Sequence, residues 1–352
     1  MRPALLLLFL LAAATARAER PLHPLASEFP PESAWLNATH LSLSQMRQKK
    51  IVVIAFINPT SINSIRVLPA LKAWFDRYGL SQVMVIAALT PDLDFHREAV
   101  WAKQLLKRYG IEYPVILDNN RRLWKAYGNE GWPALYLVDR RGHIVFDRLG
   151  EGGYQEFEKE LRTALADLIE ASSLPPKTEI ADPPRRECGA TTPEFNLGTR
   201  PGARPTLTLN KDTSKRRPLI VKARDGETAH YGRWDNERDG LRLAEGNKTQ
   251  SSFLRVVYHA AQALAIMSPA ETSPTRVFVK QDDLWLHEGN KGRDIQFDAD
   301  GRSFVVLDMP RLYDLTRDSI STPHELFLIP DRQGAKIHGL AFSDACVVTA
   351  LP

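Results

Sequence analysis

The alternation of strand-like and helix-like segments between Ile51 and about Ala171 constrains the fold of this chain more than any other feature. It opens with "IVVIAFI", a continuous apolar run of the kind that forms a strand buried on both faces. Amphipathic helical segments then alternate with further apolar runs, and "PALYLVDRRGHIVFDRLG" has the pattern of a β-hairpin that turns near Gly142. This order predicts an α/β sheet with helices on both faces.

The composition of the chain changes at Ser172. A segment rich in proline and polar residues follows, and beyond it short apolar segments alternate with turn residues, from "PLIVKA" to "IHGLAFS". Many short strands with little helix are typical of a β-sandwich. We therefore predict an α/β domain over residues 19–172, a linker over residues 173–200 and an all-β sandwich domain over residues 201–352.

The first 18 residues, "MRPALLLLFLLAAATARA", have a basic start, an apolar run and small residues at Ala16 and Ala18. This pattern predicts a secretory signal peptide that is removed after Ala18. The apolar run, from Ala4 to Ala14, is well short of the roughly 20 residues that span a bilayer. We expect a periplasmic or secreted protein with no stable membrane span, and an uncleaved N-terminal anchor is the alternative.

The charge of the chain gives no reason to expect a nucleic-acid partner, because 46 basic residues are balanced by 42 acidic ones. The histidines of the second half show no spacing typical of metal ligands. Neither a metal site nor a bound cofactor is therefore expected.

Cys188 and Cys346 are the only cysteines of the sequence. In an exported protein, two cysteines suggest one disulfide. These two lie near the ends of the second half, whose first and last strands can be neighbours. A bond that closes so long a loop stabilises a protein by roughly 4–5 kcal/mol in the chain-entropy model. Two free thiols are the alternative.

The sequence "TSINSI" lies between the first predicted strand and the following helix, and it contains Ser61 and Ser64. The stretches "LTPDLDF", "YGIEYPVILDNNRRLWKAYGNEGWPALYLVDRRGHI" and "GEGGY" come later in the chain. Together and in this order, these stretches resemble the thioredoxin-like proteins of the TlpA and DipZ type. In that family the first stretch carries a C-x-x-C motif, and the proline before the hairpin is cis. By position, the resemblance assigns Ser61 and Ser64 to the motif and Pro133 to the cis-proline.

The resemblance extends past the predicted linker, where "TTPEFNLG" (Thr191–Gly198) is similar to the junction before the C-terminal domain of DipZ-type proteins. That domain is a β-sandwich similar to carbohydrate-binding modules, so the resemblance implies a glycan as a candidate ligand. Trp234 and Trp285 are the aromatic residues to consider for stacking on a sugar ring. Packing in the domain core is the interpretation that we favour for both.

The family's reaction depends on sulfur, because one thiolate attacks a substrate disulfide and a second cysteine resolves the mixed disulfide. Serine has no such chemistry, although Ser61 suits the N-cap position of a helix. Serine hydrolysis needs a histidine base in reach of the hydroxyl, and the motif supplies none. Family members also often carry an acidic residue where this chain has Ala55.

We therefore predict an exported, redox-inactive family member that binds an extended peptide or protein segment at the cis-proline groove, through Pro133 and Trp132. A purely structural role for Pro133 and packing of Trp132 are the alternatives for these two residues. For the whole protein, one alternative is a thiol-disulfide oxidoreductase of envelope redox homeostasis or cytochrome maturation, present in a Cys-to-Ser form. A further alternative is an envelope protein that binds glycan through the second domain.

Overall fold

The structure is a computed structural model that describes residues 23–183, 189–209, 224–271 and 274–345. The predicted signal peptide (residues 1–18) lies outside the described residues, as do Cys188 and Cys346. The described residues near the two cysteines approach each other, because a Cβ built on Gly189 would lie 3.3 Å from Asp344 Oδ2. The disulfide stays a prediction.

The first domain is an α/β sheet with helices on both faces. Its strands are β1 (Ala34–Leu36), β2 (Ile51–Ile57), β3 (Val83–Leu89), β4 (Val115–Leu117), β5 (Ala134–Val138) and β6 (Ile144–Leu149). Its α-helices are α1 (Leu43–Met46), α2 (Ile62–Tyr78), α3 (Ala99–Tyr109), α4 (Arg122–Ala126) and α5 (Tyr154–Ala166). Short 3₁₀ helices cover Gly79–Ser81, Asp94–Arg97 and Ala171–Ser173.

The strands of the first domain lie in the order β1-β4-β3-β2-β5-β6 in the described part of the chain. The central strands β2, β3 and β4 are parallel, and β5 runs antiparallel to β2. Every residue of β2 is buried because its side chains alternate between two cores. Ile51, Val53 and Ala55 face the core formed with α2, α3 and α5, whereas Val52 and Ile54 face the core formed with α1 and α4.

The α/β fold predicted from the sequence is confirmed. The predicted strands and helices between Ile51 and Ala171 are all present, and α2 continues through Pro69. Gly110 lies at the C-cap of α3 with φ 60°. Helix α1 and strand β1 were not predicted, because four-residue and three-residue elements are too short to show periodicity.

The second domain is built from β-strands. Its strands are β7 (Phe195–Asn196), β8 (Leu207–Thr208), β9 (Thr228–Tyr231), β10 (Trp234–Glu237), β11 (Gly240–Leu243), β12 (Phe253–Ser268), β13 (Thr275–Gln281), β14 (Leu284–Trp285), β15 (Ile295–Phe297), β16 (Ser303–Leu307), β17 (Arg311–Pro330) and β18 (Lys336–Ser343). Within the described residues they form one hydrogen-bonded network of 12 strands, whose longest path is β10-β11-β18-β12-β17-β13-β16-β15. The all-β nature of this domain is therefore confirmed.

Two long strands join the parts of this sheet. Strand β12 pairs with β9 near its start, with β18 near its end and with β17 along most of its length. Its pairing with β17 shifts register between Ala260 and Gln262, and such bulges bend strands. Side chains from β7, β10 to β13 and β15 to β18 share one apolar core. The segment "PLIVKA", which was predicted as a strand, lies outside the described residues.

Residues in the predicted linker contact both domains. The backbone N–H and the Oγ1 hydroxyl of Thr178 each donate a hydrogen bond to the buried carboxylate of Glu158, at 2.6 Å. Further along, β7 pairs with β18 and so adds to the second sheet. This segment is therefore held on α5 at one end and on the second sheet at the other.

The two domains share an extensive interface. Apolar side chains of the second domain join the core of the first, and these are Leu264, Ile266, Leu312 and Ala341. The indole N–H of Trp101 donates a hydrogen bond to Pro310 O at 2.7 Å. The guanidinium of Arg108 lies 3.6 Å from the carboxylates of both Asp294 and Asp308. Apolar and polar contacts thus fix one domain on the other.

No helix among the described residues is both long enough and apolar enough to cross a membrane.

Candidate functional site

The sequence-predicted motif lies at the edge of the first sheet where β2 ends and α2 begins. Ala134 pairs with Phe56, so the residues just before β5 lie at the same edge as the residues just after β2. Because β3 and β4 run parallel to β2, the loops that follow them also reach this edge. The topology therefore gathers the serine motif, the loop after β3 and the proline loop before β5.

Residues Asn58 to Ser64, here called the motif turn, are held by their own polar groups. The Asn58 side-chain oxygen accepts hydrogen bonds from the Thr60 N–H at 3.1 Å and from the Thr60 hydroxyl at 2.8 Å. The Asn58 carbonyl accepts from the Ser61 N–H at 2.8 Å. These bonds fix the backbone that enters the helix.

Ser64 has a structural hydrogen bond. Its hydroxyl oxygen accepts from the backbone N–H of Asn58 at 3.0 Å, and the residue is only 1% exposed. Without this oxygen, a buried backbone donor would lose its partner, which costs roughly 1–3 kcal/mol. Ser64 therefore closes the motif turn.

Ser61 lies at the N-cap position of α2, but its side chain makes no capping hydrogen bond. Ser61 therefore occupies the N-cap position that the sequence suggested, but its hydroxyl does not cap the helix. The residue is 8% exposed, and its backbone accepts the first helical hydrogen bond from Ile65 at 3.1 Å. The resemblance places Ser61 where the family has its attacking thiol. The Ser61 hydroxyl makes no capping hydrogen bond to the helix.

A buried histidine that the sequence analysis did not consider lies beside the motif turn. The Nε2 atom of His96 is 3.2 Å from the Thr60 hydroxyl, not from that of Ser61. The Nδ1 atom accepts from the backbone N–H groups of Asp92 and Leu93 at 3.1 and 3.2 Å. Nε2 therefore carries the proton and donates to Thr60. The sequence signal was weak, because His96 is one isolated histidine in a loop.

His96 cannot act as a general base in this arrangement. The lone pair on Nδ1 and the proton on Nε2 are both already used in hydrogen bonds. Burial, together with the nearby His338, holds the pKa of His96 well below its usual range. The ring stacks on Trp101 with centroids 4.8 Å apart. We conclude that the described residues offer Ser61 no histidine base and hence no route to serine hydrolysis.

The proline loop has the geometry expected from the resemblance. The Trp132–Pro133 peptide bond is cis. The Trp132 ring packs against Trp124 with centroids 4.5 Å apart, and the Arg121 guanidinium lies 5.5 Å from both ring centroids. The packing alternative for the Trp132 side chain is thus supported by these contacts.

The backbone of Trp132 is the unusual part of this loop. Among the described residues, neither its N–H nor its C=O has a hydrogen-bond partner. Leu149, at the end of the edge strand β6, is 55% exposed. Its side chain lies against Gly131, where an added Cβ would be 3.4 Å from Leu149 Cδ1. An unpaired backbone and an exposed apolar side chain therefore adjoin each other.

The second domain covers the other side of the motif turn. Thr60, Ser61 and Ile62 are 2%, 8% and 4% exposed. Ile62 belongs to the apolar cluster that contains side chains of β12, β17 and β18. One turn into α2, Arg66 donates to the Ser343 hydroxyl of β18 at 2.7 Å and pairs with Glu151 at 3.2 Å. The position of the family's attacking sulfur is thus enclosed by this chain's own residues.

The tryptophans considered for sugar stacking lie in packed surroundings. Trp234 is 9% exposed and donates its indole N–H to Tyr231 O at 3.0 Å. Trp285 is half-buried, with Lys280 Nζ 4.8 Å from its ring centroid. Leu284, by contrast, is 72% exposed, whereas Leu286 is buried. Within the described residues no group of three or more histidines, cysteines or acidic residues could hold a metal ion.

Comparison with known proteins identifies the first domain. Residues 30–147 match the model of the AhpC/TSA family. The chain is 32% identical over 169 residues to protein DipZ of Mycobacterium bovis, a match that covers 47% of this chain and 24% of the relative. The chain therefore spans about a quarter of the length of the DipZ proteins that it matches.

Shorter proteins match the same region. The chain is 26% identical over 136 residues to the thiol-disulfide oxidoreductase YkuV of Bacillus subtilis, which covers 39% of this chain and 90% of the relative. A solution structure of a thioredoxin-like protein in the oxidized form is 25% identical, with a TM-score of 0.39, and the match covers 43% of this chain and all of that one. Residues 30–147, which match the AhpC/TSA family model, form a thioredoxin-like domain, and this chain joins it to an all-β domain.

Proposed function

We propose that this chain is a redox-inactive thioredoxin-like protein that binds an extended peptide or protein segment at the proline loop. The observation that carries the proposal is the unpaired backbone N–H and C=O of Trp132, directly before Pro133 and next to the exposed Leu149. The relatives named as thiol-disulfide oxidoreductases act through thiols, whereas this chain has hydroxyls at Ser61 and Ser64.

The chemistry of the motif turn supports the proposed lack of redox activity. Thiol-disulfide exchange requires a thiolate that attacks one sulfur and a leaving thiolate that departs from the other. A serine hydroxyl forms no disulfide and accepts no electrons. The hydroxyl of Ser64 is used in packing, and Ser61 is enclosed.

The proline loop supports the peptide-binding part of the proposal. An extended segment that lies beside Trp132 would pair its own C=O and N–H with the free groups of this residue, in the manner of an added strand. Leu149 would supply an apolar contact for one side chain of the segment. We further propose that the protein acts outside the cytoplasm, and the signal-peptide pattern of residues 1–18 supports this.

A library of immobilised peptides tests the binding proposal on the full chain. We expect the peptides that bind to be extended and apolar. We expect Leu149→Asp to lower their affinity by roughly tenfold, as loss of a contact at the centre of an interface does. Leu80→Asp is the matched control, because Leu80 is fully exposed and distant in the fold. Absence of binders, or equal loss in both variants, would overturn the proposal.

The oxidoreductase alternative makes a different prediction for the same protein. An insulin-reduction assay with dithiothreitol should show no rate above the reagent alone for the wild-type chain. Catalytic turnover that saturates with insulin would favour the alternative and refute redox inactivity.

A further inference from the structure

A cleft of about 520 Å³ opens between the two domains, beside the loop that follows β3. Its charged lining consists of four arginines and one carboxylate, and these are Arg97, Arg121, Arg200, Arg238 and Asp92. Arg97 and Arg121 belong to the first domain, whereas Arg200 and Arg238 belong to the second. Each domain thus contributes two positively charged guanidiniums to the cleft.

Two of the guanidiniums are fixed close to each other. Arg121 donates from Nε and Nη2 to the carbonyl of Pro91, at 3.2 and 2.9 Å. Arg200 donates from Nη1 to the carbonyl of the next residue, Asp92, at 2.6 Å. Hydrogen bonds to consecutive carbonyls hold these two positive groups, one from each domain, on the same wall of the cleft.

Only two of the four guanidiniums pair with a carboxylate among the described residues. The Asp92 carboxylate pairs with Arg200 at 3.0 Å, and the Asp94 carboxylate pairs with Arg238 at 2.9 Å. Arg97 donates to the carbonyl of Asn119, which carries no net charge. In the part of the chain that the structure describes, neither Arg97 nor Arg121 has an acidic partner within 4.0 Å. These two guanidiniums are therefore not ion-paired with any described carboxylate.

We infer that this cleft binds a multiply charged oxyanion, that is, a small molecule that carries a phosphate or sulfate group. Arginine guanidiniums present forked donors that match the oxygens of such groups, and charge-assisted bonds of this kind are strong. A bound anion would also relieve the repulsion between the fixed guanidiniums. The cleft lies in the size range of small-molecule sites, so it holds more than a bare ion.

The ligand would contact both domains at once. Any ligand that binds only the docked arrangement stabilises it by mass action, so the anion should raise the melting temperature of the full chain. Arg121 also lies over the rings of Trp124 and Trp132, so binding should change the tryptophan fluorescence. This inference does not rest on peptide binding at the proline loop.

Isothermal titration of the full-length chain tests the inference, with inorganic pyrophosphate and inorganic sulfate as probes at constant ionic strength set by sodium chloride. We expect saturable binding of at least one probe to one site. The variant Arg97→Gln/Arg121→Gln should bind roughly tenfold more weakly, as expected for loss of charge-assisted bonds. The single variant Arg97→Gln, at an exposed position, should weaken binding in the same direction if the double variant does not fold.

The control variant Arg140→Gln/Arg141→Gln removes the same charge at the hairpin turn between β5 and β6, far from the cleft in the fold. It should keep the wild-type affinity. Absence of saturable binding of either probe to the wild-type chain would overturn the inference. An unchanged affinity in the Arg97→Gln variants, or an equal loss in the control, would overturn it as well.

Discussion

Ser61 and Ser64 carry the same side chain in different surroundings. The Ser64 hydroxyl accepts a hydrogen bond from a buried backbone N–H, whereas the Ser61 hydroxyl makes no capping bond. Ser64 thus helps to hold the motif turn together, whereas the Ser61 side chain makes no capping hydrogen bond. The two serines should therefore respond differently to substitution.

We expect Ser64→Ala to lower the free energy of unfolding by roughly 1–3 kcal/mol, because it leaves the Asn58 N–H without a partner. Ser61→Ala is the matched control and should change stability by less than about 0.5 kcal/mol. Urea denaturation of the three proteins measures both effects. Equal costs for the two substitutions would contradict the roles assigned to the serines.

His338 is a buried neutral side chain at the domain interface. Its Nδ1 lies 2.6 Å from the Asp239 carbonyl, its Nε2 lies 2.6 Å from the Ser268 hydroxyl, and Phe95 of the first domain packs on its ring. Burial lowers the pKa of His338 from 6.5 to about 4, against the opposing charge of Asp239 and with smaller contributions from Lys336 and Arg200.

The lowered pKa predicts acid sensitivity. The unfolded chain gains a proton at this side chain near pH 6.5, whereas the folded chain does not until about pH 4. The stabilisation is therefore complete above pH 6.5 and is lost as the pH falls through this window, to a limit of about 3 kcal/mol. His96, whose pKa is also lowered, should add to this loss.

Urea denaturation between pH 7.5 and pH 4.5 checks this prediction. We expect the stability of His338→Gln to depend less on pH than that of the wild-type protein, since the side chain that titrates has been removed. His143→Gln, which replaces an exposed histidine, serves as the control. Parallel pH profiles for wild type and His338→Gln would contradict the prediction.

The helices and strands of the first domain were predictable from the sequence because their periodicity is local. The segment "IVVIAFI" has the continuous apolar pattern of a strand with two buried faces, and β2 is buried throughout. Strands β12 and β17 were less predictable. The sequence predicts only short strands in this domain, yet β12 extends from Phe253 to Ser268. The bulge after Ala260 interrupts the alternation without ending the strand.

Strand β17 shows a second limit of local patterns. The apolar run "ELFLIP" forms only its last part, whereas β17 begins at Arg311 and contains the polar stretch "TRDSISTPH". This stretch is held by pairing with β12, which is distant in sequence and leaves no local signal. The motif positions and the cis-proline were predictable by resemblance. The burial of Ser61 could not be predicted from the sequence, because it depends on how the two domains dock.

Helix α5 anchors the segment that leaves the first domain. The buried Glu158 carboxylate accepts hydrogen bonds from the Tyr78 hydroxyl and from two groups of Thr178. We expect Thr178→Val to cost roughly 1.5–3 kcal/mol, because it removes a hydrogen bond to a charged group. We also expect faster trypsin cleavage after Lys177. Thr163→Val is the control, because Thr163 lies in α5 and donates only to the exposed carbonyl of Lys159. It should change neither the stability nor the rate of trypsin cleavage.

For the whole molecule, the interface makes the motif face part of the interior. Arg66 donates to Ser343 of the second domain, and Trp101 donates to Pro310. Ile62 belongs to the apolar cluster that the two domains share. Leu149, which lies against Gly131 of the proline loop, is 55% exposed. The motif turn is thus enclosed, whereas an apolar side chain beside the proline loop faces solvent.

The accessibility of position 61 tests this account most directly. The measurement is the rate of alkylation of the Ser61→Cys/Ser64→Cys variant under reducing conditions, followed by peptide mapping, which separates position 61 from Cys188 and Cys346. We predict that a thiol at position 61 reacts more slowly in the native protein than in the unfolded protein by roughly tenfold or more, since burial limits thiol reactivity. Equal rates in the two states would show an open motif and contradict the account.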